Sequence, residues 1–167
     1  MAKTSSPDWS RIVEQHAERI FRIAYRILGS VHDAEDVSQQ VFIEARRIQQ
    51  KEPIQSWSGL LARVATTRAI DVLRRRREVV ELEETDCVSH LEPHHHATAS
   101  ELSNWLRRAV AKLPEQQAAV FTLCYFEQLD RNEVSAILEI SVEAVSTTLY
   151  KARAKLLQQL ESYNGVQ

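Results

Sequence analysis

The 167-residue sequence is poor in the residues that break or staple a chain, with 3 Gly, 4 Pro and 2 Cys. Sparse breakers argue against a turn-rich β fold and favour long helices. Cys87 and Cys124 have neither disulfide-framework nor zinc-motif spacing, so a reduced chain is expected. No apolar run reaches membrane-spanning length, and the opening MAKTSSPDWSRIVEQH lacks an apolar core of signal-peptide length. The expectation is a soluble, cytoplasmic protein without membrane insertion. Nothing pairs a nucleophile with a base, forms a Gly-rich phosphate loop or sets two carboxylates together, so neither an enzyme nor a cofactor is expected. His94, His95 and His96 invite a metal reading. Three adjacent histidines cannot easily all ligate one ion, and a solvated linker is the simpler assignment.

What is present is charge sorted along the chain. The formal net charge is −2. Residues 1–78 hold 14 Lys/Arg against 10 Asp/Glu, or +4, whereas residues 79–100 hold none against 5, or −5. Residues 101–167 hold 7 against 8, or −1. A basic block, an acidic spacer and a near-neutral block suggest two modules and a linker. The boundary is sharpest in AIDVLRRRREVVELEETD, where four arginines are followed by an acidic tract.

Periodicity predicts an all-α fold: two small helical domains joined by a flexible linker. WSRIVEQHAERIFRIAYRIL places Ile12, His16, Ile20, Ile23, Ile27 and Leu28 at helical spacing. Ser30 suits the N-cap of the next helix, DAEDVSQQVFIEARRI, with acids in its first turn and arginines at its end. Pro53 marks a loop, and Ser56 or Ser58 starts a third helix running to about Arg77. In the second module Pro114 fits the first position of a helix through PEQQAAVFTLCYFE. Asp130 and Glu133 read as a capping box, and Ser141 as the cap of a long last helix.

The clearest motif spans residues 130–155: a short capped helix, a tight turn and a second helix rich in small polar residues. Val134, Ile137, Leu138, Ile140, Val145 and Leu149 would pack this helix-turn-helix. Glu143, Ser146, Thr147, Tyr150 and Lys151 would face outward, where a recognition helix meets the major groove. An ordinary helical hairpin is the plainer alternative. In WSGLLARVATTRAIDVLRRRRE, Arg63, Thr66, Thr67, Arg74 and Arg77 can share a face that meets phosphates and bases, the alternative being a solvated basic helix end. Of four consecutive arginines, at most two or three can face one partner.

These segments, in this order, resemble the bacterial RNA polymerase sigma factors of the extracytoplasmic-function group. DAEDVSQQVFIEARR resembles the acidic helix of that family's first domain, WSGLLARVATTRAIDVLRRRRE its promoter-melting helix, and the segment from LPEQQAAV to KARAKL its C-terminal helix-turn-helix. The resemblance implies a sigma factor that gives core RNA polymerase promoter specificity. Residues 1–78 would be the region 2 domain, 79–100 an acidic linker and 101–167 the region 4 domain. Asp36, Gln39, Gln40 and Phe42 would dock on the clamp helices of the largest polymerase subunit. Trp57, Arg63, Thr66, Thr67, Arg74 and Arg75 would meet the minus-ten element, with Trp57 either a stacking surface or core. Glu143, Ser146, Thr147, Tyr150, Lys151 and Arg153 would meet the minus-thirty-five element, and the same domain would rest on the β-subunit flap. The sequence departs from the family with Thr67 where Asn is common, Glu139 where Gly is common, and Ser146 and Thr148 where Lys or Arg is common. Whether an anti-sigma factor is a partner stays open. The rival reading is a stand-alone helix-turn-helix regulator binding duplex operators. The linker acids Glu81, Glu83, Glu84 and Asp86 could also cover the basic DNA-binding surface.

Overall fold

The computed structural model describes residues 7–82 and 99–164, and these form seven α-helices with one π-helical segment. The His94–His96 run, Cys87, Glu83, Glu84 and Asp86 lie outside the described residues. Helices α1 (Trp9–Leu28), α2 (Val31–Gln49) and α3 (Trp57–Leu82) pack on one another as the first unit. Helices α4 (Ala99–Ala111), α5 (Glu115–Phe121), α6 (Arg131–Leu138) and α7 (Val142–Asn164) build the second. The π-helical segment Thr122–Phe126 continues α5. No helix among the described residues is long and apolar enough to cross a membrane.

Local chemistry sets the helix ends. Asp8 caps α1 by accepting from the Arg11 amide at 3.2 Å. Gly29 closes the same helix in the left-handed conformation, φ 67°, with its amide donating to Tyr25 O. A side chain is excluded at Gly29 for a second reason: a Cβ would stand 2.8 Å from the Ala111 Cβ of α4. Ser30 caps α2 through the Asp33 amide, and Ser56 caps α3 through the Gly59 amide at 3.2 Å. Pro114 is the N-cap of α5 rather than its first helical residue, with α5 beginning at Glu115. The Asp130–Glu133 capping box is complete, with both reciprocal bonds formed at 2.9 and 2.8 Å. Ser141 caps α7 through the Ala144 amide.

Two further helix expectations change. α3 does not stop near Arg77 but continues to Leu82, because no Gly or Pro intervenes to break it. The helix through PEQQAAVFTLCYFE widens after Phe121: the Glu127 amide donates to Thr122 O at 3.1 Å, an i→i−5 bond. Such π turns occur frequently at functional sites.

The core of the first unit is an isoleucine stripe, Ile20, Ile23 and Ile27 of α1, fully buried against Val37 and Val41 of α2 and Leu61, Ala65 and Ala69 of α3. Each buried isoleucine contributes about 2 kcal/mol. In the second unit Leu113, Val120, Leu123, Val134 and Val145 are fully buried. α1 and α3 also pack on α4, α5 and α6, so the two units form one closed body.

Candidate nucleic-acid and polymerase interfaces

α2 buries Ala34, Val37, Val41 and Ala45, which leaves Asp36, Gln39 and Gln40 exposed on its other side. Ile43 joins that stripe at 55% exposure and was not anticipated. An apolar side chain one turn beyond exposed amides is the signal that could have found it. Phe42 is half-buried and packs against the core, so it supports α2 rather than presenting itself fully.

On α3 the structure separates residues that periodicity had grouped. Arg63, Thr67, Arg74 and Arg75 are exposed. Thr66 must be corrected: it is fully buried, and its hydroxyl donates to Ala62 O at 2.8 Å. It belongs to the packed face and offers no atom to a nucleic acid. Trp57 is half-buried with its ring edge-on to Trp9 at 5.1 Å, the packed alternative.

The four-arginine run points three ways. Arg74 and Arg77 turn to Glu115 at the start of α5, and Arg77 also donates to Leu113 O at 2.6 Å. Arg76 turns back to Asp33 and to Leu28 O, tying α3 to the α1–α2 junction. Burial lowers the Arg76 pKa from its usual value, but a guanidinium stays charged in proteins. Arg75 points to solvent.

In the helix-turn-helix, Val134, Ile137, Leu138, Ile140, Val145 and Leu149 all join the packed cluster. Glu139 occupies the turn at φ 55°, ψ 41°. A left-handed glutamate costs about 1 kcal/mol relative to glycine. Its carboxylate is paired with Arg63 of α3. Glu143, Thr147, Tyr150 and Lys151 of α7 are exposed, Tyr150 at 74%. Ser146 donates back to Val142 O at 3.1 Å and is half-buried. Arg153 lies over the Tyr125 ring at 5.1 Å, a contact the sequence did not announce.

Glu127, directly after the π turn, is a buried ion-pairing carboxylate, its side chain 5% exposed. It accepts from Arg19 Nε at 2.8 Å and Arg26 Nη1 at 3.3 Å, both on α1. Arg19 also donates to Ser58 Oγ at 2.6 Å, and Arg26 covers the Phe126 ring at 4.4 Å. Burial lowers the Arg26 pKa and the Glu127 carboxylate opposes that shift. Cys124 is a half-buried free cysteine, and burial pushes its thiol pKa up.

Comparison with known proteins identifies the family. Residues 12–79 match the family described as Sigma-70 region 2, and residues 103–156 match Sigma-70, region 4. The ECF RNA polymerase sigma factor SigE of Mycolicibacterium smegmatis is 32% identical over 98% of this chain, which spans 65% of that relative. The ECF RNA polymerase sigma factor SigW of Bacillus subtilis is 32% identical, with 89% of this chain and 87% of the relative covered. Among solved structures, the sigma factor RpoE bound to the anti-sigma factor NepR from Bartonella quintana shares the fold with a TM-score of 0.70 at 18% identity, covering 92% of this chain and 97% of that one. CnrH in complex with the cytosolic domain of CnrY gives 0.66 at 20% identity, covering 95% and 91%. The chain belongs to the extracytoplasmic-function group of sigma-70 RNA polymerase sigma factors, the proteins that direct core polymerase to promoters.

Proposed function

We propose that residues 1–78 dock on core polymerase and hold the minus-ten element, while residues 101–167 read the minus-thirty-five element, with the segment between them as tether. The observation that carries this reading is that one small unit exposes two unlike faces. α2 presents Asp36, Gln39, Gln40 and Ile43, an acidic and amide stripe suited to a basic helical partner on the polymerase clamp. α3 presents Arg63, Thr67, Arg74 and Arg75, a basic track for the displaced promoter strand. In the second unit Glu143, Thr147, Tyr150 and Lys151 meet major-groove edges, with Arg153 flanking them, and the same unit rests on the β-subunit flap. Arginines spaced along a helix neutralise phosphates, and nothing in their spacing selects a base. The chain acts in the cytoplasm, as part of a holoenzyme, and performs no chemistry of its own. Energy from polymerase contacts and captured single-stranded bases offsets local melting of the duplex.

The rival, a free-standing duplex-binding regulator, leaves the α2 stripe without a role. A gel shift separates them. On a duplex promoter fragment the free chain is expected to give no specific complex, and core polymerase plus the chain a specific one. Specific duplex binding by the free chain, unchanged by core, would reverse the assignment.

A further inference from the structure

Where the end of α1 meets the end of α4, the two units border a groove of about 370 Å³ lined by Tyr25, Gly29, Asn104, Arg107, Arg108 and Lys112. Its cations differ from others at the domain boundary. Arg19, Arg26, Arg76 and Arg77 each have a carboxylate partner. Among the described residues no carboxylate pairs with Arg107, Arg108 or Lys112, and Arg107 Nε reaches only Ser103 O of its own helix, at 3.4 Å. The excess charge is felt nearby: the Arg26 pKa is lowered by burial, supported by Glu127, and lowered again by Arg22 and Arg107. Helix dipoles account for part of the clustering, since the C-terminal ends of α1 and α4 converge on the groove. Two such ends supply about −0.5 charge each, so three formal cations leave an excess of roughly two. We propose that this groove is an anion site that takes a phosphate dianion, free or carried on a small ester.

The volume lies at the small end of ligand pockets, roughly 300–1,000 Å³, and so leaves room for a phosphate with an organic body. Arg107 and Arg108 offer forked donors that match phosphate oxygens, and Lys112 adds a point charge. Tyr25, whose ring stacks on Phe21 at 5.9 Å, supplies an aromatic wall, and Asn104 an amide, for the body of an ester. One wall belongs to each unit. A ligand seated here therefore binds the closed arrangement and stabilises it by mass action. The groove uses none of the α2, α3 or α7 residues assigned to polymerase or promoter, so the proposal stands apart from those assignments.

The test is an amide NMR titration of the full-length chain in phosphate-free buffer at about 50 mM salt, with inorganic phosphate and adenosine monophosphate as separate probes. Saturating shifts are expected at Gly29, Arg108 and Lys112 by about 10 mM probe. Tighter binding of the nucleotide assigns the groove to esters, and equal affinity assigns it to phosphate itself. Arg107→Ala/Arg108→Ala/Lys112→Ala is expected to weaken binding roughly tenfold, because three partly solvated charge contacts are lost. Arg46→Ala/Arg47→Ala/Lys51→Ala removes three exposed cations at and just after the end of α2. It is expected to keep the parent affinity within about twofold. On the parent chain either probe is expected to slow acetylation of Lys112 and not of Lys51, a readout that needs no variant to fold. Absence of saturation, an equal loss in both variants, or acetylation of Lys112 unchanged by the probes overturns the proposal.

Discussion

Glu127→Ala is expected to shift the chain from closed to open by more than a hundredfold. The Glu127 carboxylate is 5% exposed and serves two arginines of α1, at 2.8 and 3.3 Å. Removing it leaves Arg19 and Arg26 partly buried at the domain boundary with their shared counter-charge gone. Breaking a buried pair from one side costs about 3–5 kcal/mol, and about 3 kcal/mol is already more than a hundredfold. The loss is not expected to unfold either unit, because the partners sit on different domains. Opening lets both guanidinium groups rehydrate, so the penalty falls on closure alone. Energy transfer between dyes at Gln40→Cys on α2 and Gln158→Cys on α7, both exposed positions, reads the change once Cys87 and Cys124 are replaced. Circular dichroism should keep its helical signal. Transfer equal to that of the parent would show that the Arg19–Glu127–Arg26 cluster does not govern closure.

Reversing charge on the α2 stripe is expected to remove core binding while leaving the fold intact. Asp36 and Gln40 are exposed and lie one turn apart. The Asp36→Lys/Gln40→Lys variant loses only a 3.5 Å surface contact with His32, and surface changes of this kind barely alter stability. Against a basic helical partner the two lysines instead face like charge, which costs enough to weaken binding on the order of a hundredfold. Titration of labelled chain with core polymerase measures it. Affinity within twofold of the parent would move the docking surface elsewhere.

Most of the local architecture was legible because local chemistry determines it. The bounds of α1, the Ser30 and Ser141 caps, the Asp130–Glu133 box and the packed residues of the helix-turn-helix all follow from spacing and side-chain type. Thr66 was misplaced because residues three apart are displaced by only about 60° on a helix. Its hydroxyl satisfies itself on Ala62 O, so a polar side chain fits within the packed face. The π turn at 122–126 had no signature, since FTLCYF is apolar under either winding. The ion pairs between the units join residues 38 to 108 positions apart, and no periodicity registers a contact at that range. Glu115, Glu127 and Glu139 each looked like an ordinary surface acid until the fold placed an arginine opposite.

The direct test of the central claim is run-off transcription by core polymerase across a promoter library, with and without this chain. Transcripts from defined start sites are expected only when the chain is present, and Arg63→Ala/Arg74→Ala/Arg75→Ala is expected to lower promoter opening without lowering core binding. No association with core polymerase and no chain-dependent start site would contradict it.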